Sequence, residues 1–360
     1  MIPKNHLENL LLQAVKNQRE SNLMMQDDDE FEENTTEGIP LLYDESFKSK
    51  NISVPSRLIC TLEDHNDEVW VCKFSNNGEW LASGGSDSKV YLYKTLDLLS
   101  NDNTQQKFTH SLSAHNGNIS LLAFSPDDKL LISCCTANEV GVWDVLTGQQ
   151  ISHSKKSTPI ISCLWETVSS YMTVSGEKNS QVSFWDAITG SLIDSFKVDT
   201  RAQDAVLTGD DRLIVATYDK QLLIFSIKDK RVVDRILENE YITSLTANKT
   251  SRFILSSLSM DEDCPSEIHL WDLKEKRLVL HYTGNRQSKF ILKPTFVGNH
   301  LVACGSEDSK IYIWDRTTGK LIDNIVGHIN VVNSVAWNRQ FNLLASGSDD
   351  STVKIWGMQH

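Results

Sequence analysis

Residues 327–356 read GHINVVNSVAWNRQFNLLASGSDDSTVKIW, and the fold follows from them. Val332, Ser334 and Ala336 alternate with Asn333, Val335 and Trp337. A second extended run covers Leu343 to Ser346, a Gly-Ser-Asp-Asp turn follows, and a third run spans Thr352 to Trp356. Two-residue alternation bounded by Gly, Asn and Asp clusters is the signature of half-buried strands in an antiparallel sheet. His328, Ser346, Asp350 and Trp356 punctuate these runs. A unit of three short strands cannot bury its own faces, so similar units are expected elsewhere in the chain.

Tyr93, Trp143, Trp185, Phe225, Trp271, Trp314 and Trp356 each close such a unit, at successive spacings of 50, 42, 40, 46, 43 and 42 residues. The unit resembles a WD40 repeat, one blade of a β-propeller, whose period is roughly 40–45 residues. The resemblance implies an all-β fold, a seven-bladed WD40-repeat propeller. The last unit supplies three strands, and Arg57 to Leu62 (RLICTL) mimics Leu321 to Val326, so residues 57–62 are expected to complete the seventh blade. Such closure removes open sheet edges. The chain thus divides into residues 1–25, an amphipathic helix; residues 26–56, an acidic linker; and residues 57–360, the propeller.

His, Ser and Asp together also make a hydrolase triad. Here they recur, as His65, Ser83 and Asp87 in the first unit and His328, Ser346 and Asp350 in the seventh. A nucleophile is not needed repeatedly around a ring. The WD-repeat resemblance implies instead a buried hydrogen-bonded network, with Trp356 as its fourth member. Blade one has Tyr93 for Trp, blade two has Ala137 where Asp is expected, and blade six has Asp308 but Cys304 for Ser. Blades three to six lack the Gly-His pair. No further nucleophile-base pair or metal-ligand spacing stands outside this pattern, so a non-enzymatic protein with no metal and no cofactor is expected.

The chain has 360 residues and a formal net charge of −13, which argues against nucleic-acid binding, since that needs a basic field. Seven cysteines without a CxxC fit neither a disulfide framework nor a zinc site, and buried reduced thiols are expected. The sequence shows neither a secretory leader nor a span of about 20 apolar residues, so no membrane association is expected, and the cytoplasm or nucleus is the expected location.

Ahead of the ring, Leu7, Leu10, Leu11, Ala14 and Val15 follow helical spacing and form one apolar stripe, to be covered by the propeller or by another chain. Residues 26–38 hold seven carboxylates and no base, a self-repelling linker or an acidic docking tail. Extra length falls at Leu96 to Lys107 and at Ser259 to Glu267. In WD repeats the mouth of the ring is lined by residues four and six before the aromatic of the first strand, and by the residue before the turn Asp. Carried over, these are Glu68, Trp70, Arg201, Gln203, Tyr218, Phe290, Glu307 and Asp349. Blade seven has Asn333 where blade one has Trp70, so the fold does not demand an aromatic there. Trp70 is either an interface anchor or a lid on the ring.

The segments IPKNHLENLLLQAVKNQ, DEVWVCKFSNNG, SGEKNSQVSFWD, GSEDSKIYIWDRTTGKLI and SGSDDSTVKIWG resemble the WD-repeat subunit family of the GID/CTLH ubiquitin ligase. That resemblance implies a non-catalytic scaffold that helps recruit substrates for ubiquitination and proteasomal degradation. Its implied partners are the helical-domain subunits of the ligase, through Leu7, Leu10 and Leu11, and substrate proteins at the rim. Family members carry a LisH and CTLH helical region ahead of the linking helix, where this sequence has its Met1, so a propeller-only relative or a shortened chain is expected. The alternative is a general signalling or assembly adaptor with no ligase role. Neither Trp-Asp-x-Arg nor Phe-Arg-Arg-Gly occurs, which argues against cullin-four receptors and phosphoinositide-binding propellers.

Overall fold

The structure, a computed structural model, describes residues 53–100, 107–248, 250–259 and 266–359. The stripe of Leu7, Leu10 and Leu11, most of the acidic linker, and the acidic centre of the Ser259 to Glu267 insertion lie outside the described residues.

Seven four-stranded antiparallel sheets follow one another as the blades of a β-propeller. Blade one runs from its innermost strand Val69–Phe74 through Trp80–Gly85 and Val90–Lys94 to the outer strand Phe108–Leu112. Blade two repeats this with Ile119–Phe124, Leu130–Cys135, Glu139–Asp144 and Gln150–Lys155. In blade seven, Val332–Asn338, Leu343–Ser348 and Val353–Gly357 are joined by Arg57–Leu62 as the fourth strand. The ladder runs from Arg57↔Gly357 to Leu62↔Val353, so the ring closes as the sequence implied. The insertion after blade one's third strand opens with a single helical turn, Thr95–Leu98, whose Leu98 is buried.

The strands read as half-buried because each blade packs a face against each neighbour. In each blade the second strand is buried throughout or nearly so, and outer strands such as Gln150–Lys155 and Leu192–Lys197 are largely exposed. The core is therefore a ring of hydrophobic clusters between blades. One joins blades one and two through Leu92, Ile119 and Leu131. Another joins blades seven and one through Leu62, Val69, Tyr93 and Ile355, which makes closure a packing event as well as a hydrogen-bonded one. At about 25 cal/mol per Å² of apolar surface, such clusters are the main favourable term holding the blades together.

Two irregularities recur. The first pair of strands is bulged in blades one to five and seven, for example between Val69 and Val71 and between Val332 and Ser334. The third and fourth strands slip register at the closing aromatic, as between Leu92 and Tyr93. A bulge strengthens local twist and re-aims a side chain. Blade six departs most: its innermost strand shrinks to Thr295–Val297, and Lys293 reaches Ser334 of blade seven through an isolated bridge.

The thiols follow expectation. Cys72, Cys134, Cys135, Cys163 and Cys304 are buried and Cys60 is half-buried, all of them free.

Candidate interaction rim and the network beneath it

The bulges explain how a propeller presents variable side chains on a uniform frame. The bulged residue sits four before Phe74, Leu207 and Trp337, near the ends of the first strands of blades one, four and seven. It is Trp70 in blade one, Gln203 in blade four and Asn333 in blade seven. Freed from the ladder, each of these positions accepts what the rim requires.

Trp70 is half-buried and its indole N–H donates to Glu68 Oε2 at 2.9 Å. Ser86 Oγ donates to the same oxygen at 3.3 Å. Across the closure seam, Asn333 Nδ2 donates to Asp349 Oδ1 and to the Val69 carbonyl at 3.0 Å. Burial raises the pKa of the Asp349 carboxyl, and the charges of Glu68, Asp350 and Asp67 raise it further, against the Asn333 hydrogen bond. Glu68, Trp70 and Asp349 thus form one local group, an indole with a compressed cluster of carboxylates beside it.

A second group is aromatic and cationic. The Arg201 guanidinium lies 5.7 Å from the ring centroid of Tyr218, which is 47% exposed. Tyr241 packs on Tyr218 at 5.1 Å between centroids, and the Lys220 ammonium sits 4.8 Å over Tyr241. Gln203 is half-buried nearby on the same bulged strand as Arg201's loop. Tyr241, six residues before Ala247 at the end of blade five's first strand, was not among the residues expected from the sequence.

The third group is structural in part. Glu307 accepts backbone N–H groups of Ser288, Lys289 and Phe290 at 2.7–3.0 Å, and the Ser288 hydroxyl at 2.8 Å. Burial works to raise its pKa and these hydrogen bonds outweigh it, leaving the carboxyl below its ordinary value. Its carboxylate holds the loop that carries Phe290, 42% exposed, beside Ile291. The eight residues expected at the rim therefore fall into three local groups.

Beneath the rim the expected network is present. In blade seven, His328 Nδ1 is 2.8 Å from Asp350 Oδ2, and Nε2 is 2.7 Å from Ser346 Oγ. Trp356 Nε1 donates to the same hydroxyl at 2.8 Å. Blade one repeats this with His65, Asp87 and Ser83 at 2.9 and 2.8 Å. Tyr93, standing for Trp, donates instead to Asp64 at 3.1 Å. In both blades the His side chain is 1% exposed, out of a substrate's reach.

The middle blades replace the network rather than losing it. Eighteen residues before Ser256, where blade seven has His328 before Ser346, blade five has Glu238. It accepts from Ser256 Oγ at 2.6 Å and from Trp271 Nε1 at 2.5 Å, and pairs with His269 Nδ1 at 2.9 Å. In blade six the Tyr312 hydroxyl donates to Asp308 at 2.8 Å, filling the place of the missing histidine. Blade three sets the Lys156 ammonium 3.1 Å over Trp185, whose N–H goes to Thr173. Blade four is apolar, with Val198, Val215 and Phe225 packed together.

A family model described as WD domain, G-beta repeat matches residues 56–94, 106–144, 287–315 and 319–357. The long unmatched stretch, residues 145–286, takes in blades three to five, whereas blade six is matched although its network is also replaced. The chain is 30% identical over 371 residues to GID complex subunit 7 of Schizosaccharomyces pombe, covering 99% of this chain and 67% of that protein. The chain belongs to this family. In Arabidopsis thaliana, a WD repeat-containing protein 26 homolog is 31% identical over 99% of this chain and 58% of its own length. A WD repeat-containing protein WDS homolog, also of Arabidopsis thaliana, is 32% identical over 99% of this chain and 66% of its own. The chain thus spans between 58% and 67% of the length of these relatives.

Membership accounts for a scaffold geometry in which the buried polar groups fix the frame and the bulged positions vary. No helix among the described residues is long and apolar enough to cross a membrane.

Proposed function

We propose that this protein is a non-catalytic scaffold of a GID/CTLH-type ubiquitin ligase in the cytoplasm or nucleus, whose propeller rim engages substrate proteins destined for proteasomal degradation. The observation that carries this reading is the likeness to GID complex subunit 7 along 99% of the chain. The rim supports it: Trp70 offers a rigid amphipathic anchor, and Glu68, Asp67 and Asp349 place negative charge around it. Aromatic anchors in partly desolvated surroundings dominate interface energetics, and the flanking carboxylates favour a partner segment that carries Lys or Arg. Beside a chain of net charge −13 the like-charged cluster also rejects acidic partners.

Affinity purification of the intact tagged chain tests this, read by mass spectrometry. Ligase helical-domain subunits and ubiquitination substrates are expected in the eluate. Trp70→Ala should deplete substrates while sparing ligase subunits; Leu7→Asp with Leu11→Asp should do the opposite. Loss of a hot-spot aromatic costs about 2 kcal/mol or more, roughly thirtyfold in affinity. Recovery of neither class, with a folded ring, would leave the general adaptor reading in its place.

A further inference from the structure

Blade two keeps the network's histidine and serine but not its aspartate. His115 Nε2 lies 2.6 Å from Ser133 Oγ, and Trp143 Nε1 donates to that oxygen at 2.8 Å, as in blade seven. Ala137 stands where Asp350 stands in blade seven. A carboxylate comes instead from Glu139, two residues later. Its oxygens accept the Asn116 backbone N–H at 2.9 Å and side-chain amide at 2.8 Å, so it holds the loop much as Asp350 does. It does not reach the histidine: His115 Nδ1 is 4.0 Å from Glu139 Oε2 and has no hydrogen-bond partner, although the imidazole is 0% exposed.

Two further donors converge on the same carboxylate oxygen. The Cys135 thiol is 3.7 Å from Glu139 Oε2, and His153 Nε2 is also 3.7 Å from it. Gly141 provides the room. It pairs with His153 across the third and fourth strands, and a Cβ on it would come within 3.2 Å of His115 Nε2. At the matching position blade one has Tyr91, whose ring fills the space beside His65 at 4.7 Å. In blade two the His153 ring occupies that side, 6.0 Å from His115.

We propose that His115, Cys135 and Glu139, with His153 as the fourth ligand, form a structural zinc site that joins blade two's entry loop to its inner turn. The ligand atoms of the first three lie within 4.8 Å of one another. Bonds of about 2.0–2.3 Å in a tetrahedral site set ligand atoms roughly 3.3–3.8 Å apart, close to the spacing of the first three and to the 3.7 Å between His153 Nε2 and Glu139 Oε2. One thiolate, two imidazoles and one carboxylate are a zinc donor set rather than a magnesium or calcium one. The thiolate and the carboxylate neutralise the dication, and the Cys135 proton leaves to solvent as the sulfur–metal bond forms.

The second shell is already in place. With the His115 Nε2–H donating to Ser133, the lone pair rests on Nδ1, facing the cluster; such a partner commonly fixes the tautomer of a ligating histidine. Entry is from the outer strand, where His153 is 34% exposed. Four protein ligands leave no open position, which makes the site structural, not catalytic. The metal then supplies the link between histidine and carboxylate that a direct hydrogen bond makes in blades one and seven. The sequence reading assigned no metal because residues 115, 135, 139 and 153 show no familiar spacing; the sheet alone brings them together.

Cobalt titration of the full-length chain, stripped with a chelator and dialysed, tests the site. One equivalent of Co²⁺ should bind with the thiolate-to-cobalt charge-transfer band and strong visible absorption of a tetrahedral site, and Zn²⁺ should displace it. Cys135→Ser should abolish the charge-transfer band. His153→Ala, at a partly exposed outer-strand position, should keep the ring folded and weaken Co²⁺ binding by about tenfold to a hundredfold, the range seen even for second-shell losses. Failure to take up one equivalent overturns the proposal, as does a charge-transfer band that survives Cys135→Ser. Should Cys135→Ser fail to fold, His153→Ala decides: unchanged cobalt affinity would overturn the proposal.

Discussion

Replacing His328 with alanine should destabilise the ring far more than its small volume suggests. The imidazole links Asp350, Ser346 and, through that serine, Trp356. Removing it strips one hydrogen bond from a carboxylate that is 4% exposed and one from a buried hydroxyl. Asp350 keeps the Ile329 N–H at 3.1 Å and Thr352 at 2.6 Å, and Ser346 keeps Trp356, so neither is wholly orphaned. Each stranded group costs about 1–3 kcal/mol, and the cavity adds to that. A total near 3–5 kcal/mol also matches what is lost when one partner leaves a buried pair. At about 2 °C per kcal/mol for a domain this large, differential scanning should show a Tm lowered by roughly 6–10 °C. A double-mutant cycle with Asp350→Ala separates hydrogen bonding from packing: a coupling of about 1–3 kcal/mol is expected. Additive effects, or a Tm within roughly 1 °C of wild type, would refute the assignment of this histidine to the frame.

The same network implies an acid limit. Burial works to raise the Asp350 pKa, but His328, Thr352 and the Ile329 N–H more than offset it, leaving it well below the usual carboxylate range. Its stabilisation is therefore complete above the unfolded value, about pH 4, and lost as pH falls below that; Asp350→Asn should flatten the acid limb of a Tm–pH plot. His269 runs the other way: burial lowers its pKa, Glu238 and Glu267 outweigh that, and the net shift is upward. Its contribution is whole below about pH 6.5 and lost as pH rises through the raised value, so His269→Gln should flatten the decline on the alkaline side. For closure, a chain beginning at residue 53 should melt as the full chain does. One beginning at residue 66 lacks the ladder to Val353–Gly357 and the Leu62 contact, and should aggregate on gel filtration.

Much of the fold was legible because a propeller writes one rule many times. The closing aromatics alone gave seven blades, and the likeness of RLICTL to the outer strand of blade six gave closure. The middle blades were less legible because the frame constrains a volume and a hydrogen-bond balance, not a residue type. Glu238 satisfies Ser256 and Trp271 as a histidine would, provided that His269 supplies the opposing charge. A search for Gly-His passes over it; counting eighteen residues back from the strand serine finds it. Blade four shows the limit of that count, since a valine pair needs no polar partner at all.

The count that named the candidate rim residues concerns position and says nothing of role. Counting back from Phe74, Leu207 and Trp337 located the bulges, because each bulge lies four residues before one of them. Which rim side chains are free to bind depends on loops that no periodicity describes. Glu307 Oε1 accepts three backbone N–H groups of the loop after Asn285, so replacing it would displace Phe290 rather than subtract one contact. Among the described residues the Trp70 indole N–H is tied to Glu68, another candidate rim residue, and the Val69 and Val71 side chains flanking it are what the core buries. Glu68→Gln keeps an oxygen to accept the indole N–H while removing the charge. In the pull-down it should therefore weaken the recovery of basic partners without the loss of the aromatic anchor that Trp70→Ala causes. A Glu68→Gln chain that binds like wild type in low salt would show that the indole acts alone, and that the carboxylates at this seam serve only the closure of the ring.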